Sequence, residues 1–89
     1  MATDESENCF VDANVLVYAA IGTDSRHSAS KNLLQDGYGL RLCVSPQVLS
    51  EFYSVITNAK RVTDPFTPTE ATEFIRTLLG NQHVSPSRF

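Results

Sequence analysis

Residues 9–18 decide the fold, and they read CFVDANVLVY. A short apolar run ends at Asp12, and an apolar pattern with helical spacing follows at once through Val15, Leu16 and Tyr18. The run predicts a buried strand, and the pattern after it predicts a turn of helix. Because Asp12 directly follows the strand, it is expected at the edge of the sheet where parallel α/β proteins bind their ligands.

Strands and helices continue to alternate in the middle of the chain. A helix is predicted over residues 25–36, with Gly37 as its C-terminal cap, and a strand over residues 40–44. Ser45 and Pro46 form a typical helix start, which opens a third helix ending near Lys60.

The last third of the chain adds one more helix with clear signals. Residues 67–70 read TPTE, a capping box with proline at the first helical position, and the helix stops at Gly80. Residues 81–89 are too few to assign, although residues 83–85 have a composition that can begin a strand. The order β-α-α-β-α-α predicts an α/β fold with a parallel sheet and right-handed crossovers.

Two of the predicted helices carry an apolar stripe that is expected to face the core. On the third helix the stripe consists of Val48, Leu49, Phe52, Val55, Ile56 and Ala59. On the fourth helix it consists of Ala71, Phe74, Ile75, Leu78 and Leu79.

Length and composition indicate one small globular domain. The chain has 89 residues, of which 42% are apolar and 19% are charged, and this balance is typical of a chain that folds. The polar, acidic start does not resemble a secretory signal, so we expect a cytoplasmic protein in which Cys9 and Cys43 are reduced and buried. The longest apolar run, residues 15–21, is too short to cross a membrane.

The net charge of −3 is concentrated at the start of the chain, within residues 1–8. The remaining residues, 9–89, carry equal numbers of acidic and basic side chains, and their only basic cluster is the pair Lys60 and Arg61. Charge alone therefore gives no support for a basic surface that binds nucleic acid tightly.

Asp12 and Glu51 form a candidate site. Glu51 lies five residues after Pro46, about 7.5 Å along the helix that leaves the second strand, so the two carboxylates are expected to approach each other. Carboxylate oxygens suit Mg²⁺ or Mn²⁺, which would support metal-assisted hydrolysis of a phosphodiester. Structural interpretations stay open: Asp12 as a helix cap, Glu51 as a solvated residue and Asn14 as a local hydrogen-bonding partner.

Two stretches resemble a known family. Residues 10–18 (FVDANVLVY) resemble the opening motif of PIN domains, the fold of VapC-type toxin ribonucleases, and residues 44–53 (VSPQVLSEFY) resemble the family's second motif. The segment between them, with His27 and Leu33, and the helix after Thr67 also fit this family.

The resemblance implies specific chemistry for three residues. Asp12 and Glu51 would be catalytic residues that bind Mg²⁺ or Mn²⁺, and Asn14 would orient the first carboxylate or a bound water. The implied function is that of a metal-dependent ribonuclease of a toxin–antitoxin system, with RNA as substrate, an antitoxin as partner and the cytoplasm as its location.

The family's later acidic elements have no counterpart by motif. Asp64, Glu70 and Glu73 do not match them, because Asp64 falls in a loop and the two glutamates fall in the first turns of a helix. We therefore expect residues 1–8 to form a disordered acidic leader and residues 9–89 the N-terminal portion of a truncated PIN-like domain.

Three interpretations follow from this expectation. The isolated chain is a ribonuclease with weak or no activity, or a non-catalytic relic that acts as an interaction or homodimerisation module through its exposed sheet edge. A third interpretation is half of an enzyme that a separate fragment completes.

Overall fold

Three short strands and four helices make up the part of the chain that the computed structural model describes, residues 8–36, 41–81 and 84–86. In chain order they are β1 (Asn8–Phe10), α1 (Ala13–Ala20), α2 (His27–Asp36), β2 (Arg41–Val44), α3 (Pro46–Ile56), α4 (Pro68–Leu79) and β3 (Val84–Pro86). The predicted α/β class and parallel sheet are confirmed.

The strands lie side by side in the order in which the chain makes them, β1-β2-β3. Both pairs are parallel, and one row across the sheet joins Phe10 to Cys43 and Cys43 to Ser85. The backbone N–H of Val11 donates to the Cys43 carbonyl at 2.9 Å, which continues the ladder past the end of β1. The sheet therefore places the ends of β1 and β2 next to each other.

The two faces of the sheet are in different surroundings. Leu42, Val44 and Val84 point to one face and are buried, whereas Phe10 and Arg41 point to the other and are exposed. Right-handed crossovers that move in one direction across a sheet pass over the same face each time. We infer that the connections β1-α1-α2-β2 and β2-α3-α4-β3 both cover the Leu42 face.

The core lies between the covered face and the helices. Phe52, Leu16 and Ile56 are fully buried, and α1 contacts both α2 and α3. The Phe52 and Phe74 rings lie 4.9 Å apart between centroids, so α4 packs on α3 through an aromatic pair. The predicted stripes are confirmed at most positions, but Ala59 is exposed beyond α3, and Leu79 is 36% exposed.

A third strand lies in the last residues, which are too few to assign from sequence alone. β3 begins at Val84, with a buried side chain, and it pairs with β2. Short strands have little periodicity, and the pairing that stabilises β3 is with residues 42–44, far away in sequence.

Two helix boundaries also differ from the prediction. α2 begins at His27 rather than residue 25, because Asp24 binds the backbone N–H and the guanidinium of Arg26 in the turn before it. α3 ends at Ile56 rather than near Lys60, where the Asn58 side chain accepts a hydrogen bond from the Lys60 N–H and stabilises a turn.

Four sequence predictions fall outside the described residues. They concern residues 1–7 of the acidic leader, the cap at Gly37, the strand start at residue 40 and the strand start at residue 83.

The two cysteines lie on opposite faces of the sheet. Cys9 pairs with Leu42 and shares its covered face, while Cys43 pairs with Phe10 and shares the open face. Both thiols are free and only partly buried, so the expectation of two buried cysteines is corrected. A disulfide between them is excluded by this geometry.

Among the helices of the described residues, none combines the length and the hydropathy that a membrane-spanning segment requires.

Candidate functional site

The candidate site lies at the carboxyl edge of the sheet, where β1 and β2 end side by side. Continuing the register of Phe10 with Cys43 by two residues brings Asp12 beside Ser45. Asp12 is the N-cap residue of α1, and Ser45 is the N-cap residue of α3. Two helices in contact with each other therefore begin next to each other at this edge.

The two cap residues use their side chains differently. The Ser45 hydroxyl oxygen accepts a hydrogen bond from the Val48 N–H at 3.1 Å, as a helix cap normally does. Asp12 has the extended backbone of a cap, with φ −78° and ψ 151°, but its carboxylate makes no hydrogen bond to the helix or to other described residues. The Asp12 side chain is exposed, and its oxygens are free to bind a ligand.

Glu51 lies in the second turn of α3 and is also exposed. The Gln47 side-chain amide lies 3.5 Å from a Glu51 carboxylate oxygen, a long contact that leaves most of the carboxylate's hydrogen-bonding capacity unused. Gln47 was not singled out from the sequence, although its spacing of four residues from Glu51 on a helix is a sufficient signal for a contact.

Asn14 is exposed in the first turn of α1, two residues after Asp12. Within the described residues, no hydrogen bond joins its amide to the Asp12 carboxylate. Its role in orienting that carboxylate or a water stays a prediction.

The other acids considered from the sequence lie in a loop or make local structural contacts. Asp64 is exposed in the loop before α4, and Glu70 accepts from the Thr67 N–H at 2.9 Å in the confirmed capping box. Glu73 forms an exposed ion pair with Arg76 at 3.0 Å. In the described ranges, no group of three or more His, Cys, Asp or Glu side chains is arranged to hold a metal ion.

The donor chemistry at the edge nevertheless fits Mg²⁺. This cation binds carboxylate oxygens, and it commonly uses one or two of them together with waters and substrate phosphates. Asp12 presents such oxygens without a competing hydrogen bond, and Glu51 presents a largely unengaged carboxylate from the second turn of α3. A pair of this kind suits a cation that keeps several of its waters rather than one enclosed by protein.

The shifted ionisations of the described residues lie away from this edge, in the turn between α1 and α2. Hydrogen bonds from Arg26 to Asp24 lower the pKa of that carboxyl and raise the pKa of the guanidinium. The Arg26 guanidinium also lies 3.7 Å from the centre of the Tyr18 ring. These contacts connect the end of α1 to the start of α2 and stabilise the turn between them, so we assign them a structural role.

His27 lies in the same turn and is partly buried. Its Nδ1 lies 3.1 Å from the Tyr18 carbonyl, so the ring packs at the junction of α1 and α2.

A groove of about 570 Å³ lies between α1, α2 and α4. Its floor includes Ala19, Leu34 and Phe74, and neither Asp12 nor Glu51 lines it. The groove is therefore separate from the candidate site, which is defined by the carboxylates at the sheet edge rather than by a deep cavity.

Comparison with known protein families identifies a match that covers most of the chain. The family model described as PIN domain matches residues 9–83, most of the chain. A search of curated proteins finds no match.

Proposed function

The chain belongs to the PIN domain family, and on that premise we propose that it is a Mg²⁺-dependent ribonuclease whose cation binds Asp12 and Glu51. Family membership indicates a nuclease. The metal, the two ligands and RNA as substrate are our extension of that assignment.

The free carboxylate of Asp12 is the observation that carries this proposal. An aspartate in the N-cap position normally bonds to the backbone N–H groups of its helix, and that bond stabilises the helix. Asp12 occupies the position without the bond, while Ser45 and Thr67 both form theirs. An acid that does not cap, at the edge where parallel sheets bind ligands, favours a role in chemistry over one in stability.

The residues at the edge would have different roles in hydrolysis. Asp12 and Glu51 hold the cation by their oxygens, and Asn14 has an amide that can donate to the Asp12 carboxylate or to a water. When bound, Mg²⁺ polarises a phosphoryl oxygen and makes a bound water more acidic. Because residues 9–89 carry no excess of positive charge, the cation would also supply the local attraction for a phosphate.

We further propose that the protein is the toxin of a toxin–antitoxin pair and acts in the cytoplasm. The support is the likeness of residues 10–18 and 44–53 to the VapC-type motifs. An antitoxin would then be its protein partner.

Cleavage of RNA by the purified full chain tests the proposed activity. We expect cleavage with Mg²⁺, none in EDTA, and a loss of at least about a hundredfold in Asp12→Asn, because asparagine cannot replace a charged ligand. Asp64→Asn is the matched control, since Asp64 is an exposed acid in a loop, and it should cleave like the wild type.

Thermal melting of each variant separates a lost ligand from a lost fold. Asp12→Asn should melt like the wild type, because asparagine is an equally good cap residue and no side-chain bond is lost. Cleavage that survives Asp12→Asn or EDTA would refute the proposal. A folded wild type that neither cleaves RNA nor binds Mg²⁺ in calorimetry would favour the non-catalytic interaction module instead.

A further inference from the structure

Glu51 and Glu73 occupy matched positions on two helices but have different partners. α3 and α4 each begin with a proline after a capping Ser or Thr, and each glutamate lies five residues after that proline. Glu73 pairs with Arg76 at 3.0 Å. Glu51 has no cationic partner among the described residues, and its Oε1 lies 3.5 Å from the side-chain amide nitrogen of Gln47. A neutral donor therefore accompanies the acid at the candidate site.

A neutral partner suits a carboxylate that has to bind a cation. An arginine at hydrogen-bond distance occupies the carboxylate and repels a second cation. The amide of Gln47 instead donates to one of the acceptor positions of Glu51, and it leaves the negative charge and the other acceptor positions available. Of the two matched glutamates, only Glu51 keeps the properties of a metal ligand.

The helix places Gln47 where it can limit the conformations of Glu51. Side chains four residues apart lie on the same face of a helix, and both of these are exposed. Fixing a long glutamate side chain on a cation costs conformational entropy, and a contact made before binding removes part of that cost. Ligand carboxylates are commonly held by hydrogen bonds in this way.

The length of the contact is also informative. A distance of 3.5 Å is long for a hydrogen bond, and an exposed pair at this spacing adds little to the stability of a helix. Hydrogen bonds at functional sites are often long before the ligand binds, and they shorten in the complex. Stability therefore gives a weak reason for this pair, and orientation of a ligand gives a stronger one.

We propose that Gln47 is a positioning residue, which orients the Glu51 carboxylate for Mg²⁺ by donating a hydrogen bond to Oε1. This role rests on the proposed function, because Glu51 is a metal ligand only there. Gln47 acts on the affinity for the cation and contacts Glu51 rather than the substrate. Its effect can therefore be measured without RNA.

Nuclear magnetic resonance of the ¹⁵N-labelled, metal-free full chain tests the hydrogen bond itself. Glu51→Gln replaces a charged acceptor with a neutral one, so we expect it to shift the side-chain amide resonances of Gln47. The side-chain amide of Gln35, an exposed residue near the end of α2, should keep its resonances. An unchanged Gln47 amide in Glu51→Gln would overturn the proposal.

Titration of the same chain with Mg²⁺ alone, followed by the backbone amides of residues 12–14, tests the effect on the cation. We expect Gln47→Met to raise the dissociation constant by about tenfold, the lower end of the range for partners of metal ligands, because the contact is exposed. Saturating Mg²⁺ should bring the variant to the wild-type end point, since both ligands remain. Gln35→Met is the matched control and should bind Mg²⁺ like the wild type.

Thermal melting separates positioning from stability. Methionine forms helices about as well as glutamine, so Gln47→Met should melt like the wild type while it binds Mg²⁺ more weakly. A fall in melting temperature that accounts for the weaker binding would assign Gln47 a structural role and overturn the proposal.

The outcomes distinguish this proposal from the proposed function. Weaker Mg²⁺ binding by Gln47→Met supports the positioning role even if the wild type cleaves no RNA. Equal Mg²⁺ affinities of Gln47→Met and the wild type overturn it even if RNA cleavage depends on Asp12 and Mg²⁺. A wild type that binds no Mg²⁺ overturns both.

Discussion

The two faces of the sheet are made by the same three strands and have opposite surroundings. On the covered face, Leu42 and Val44 are fully buried beneath the helices. On the open face, one residue away in sequence, Arg41 is exposed, and Phe10 keeps 69% of its surface in solvent. At β1, Cys9 faces the covered side and Phe10 the open side, so the exposure of Phe10 follows from topology rather than from a polar sequence.

The contrast shows which face of the sheet stabilises this small fold. Burial of apolar surface against helices stabilises a fold in proportion to the area removed from water, so the covered face provides most of what the sheet contributes. The open face adds little to stability, because its side chains remain largely in solvent.

Leu42→Ala is the strongest test of the covered face. Leu42 is fully buried in the central strand, so the substitution removes buried methyl groups and leaves a cavity. We expect a loss of about 2–5 kcal/mol in the free energy of unfolding, measured by urea denaturation. Some of this range could exceed the total stability of a domain this small, in which case the variant will not fold.

Leu79→Ala is the matched control for that loss. The same atoms are removed from a leucine that is 36% exposed near the end of α4. The loss should stay below about 1 kcal/mol, since less buried surface is removed and alanine is a good helix former. Equal effects of the two substitutions would show that β2 is not the centre of the core.

The two cysteines allow the same substitution to be compared on the covered and the open face. Cys9 packs against the core, so Cys9→Ser places a hydroxyl there. We expect it to lower the free energy of unfolding by about 1–2 kcal/mol. Cys43→Ser, on the open face, should change the free energy of unfolding by no more than about 0.5 kcal/mol. Urea denaturation of both variants gives these values.

Oxidation adds an independent check on the same pair. Since the thiols lie on opposite faces, mild oxidation should produce no disulfide within one chain. An intramolecular disulfide, detected by mass spectrometry after alkylation, would show that the register of β1 with β2 is wrong.

Local signals predicted the helices well. The capping box at Thr67 and the cap at Ser45 were both readable, because each depends on residues within one turn of helix. The helix boundaries that differ from the prediction depend on single side chains, such as Asn58 after the end of α3. β3 could not be assigned from the sequence because its stability comes from pairing with β2.

The sequence predicted the position of Asp12 but not the state of its side chain. An aspartate after a strand is equally typical of a helix cap, and only the structure shows that its carboxylate makes no capping bond. The open face was missed, since the run at residues 9–11 was interpreted as buried throughout. The sequence does not reveal that the three strands lie in the sheet in chain order. That order places both crossovers on the same face of the sheet.

Phe10→Ser should have the smallest effect on stability, although it removes a large aromatic ring. The ring is mostly in solvent, and β1 lies at the edge of the sheet formed by the described strands, so little burial is lost. We expect a change within about 0.5 kcal/mol in the free energy of unfolding, measured by urea denaturation. A loss comparable with that of Leu42→Ala would mean that Phe10 is buried in solution, by a second copy or by other parts of the chain. The open face would then be part of the core, and the contrast between the two faces would fail.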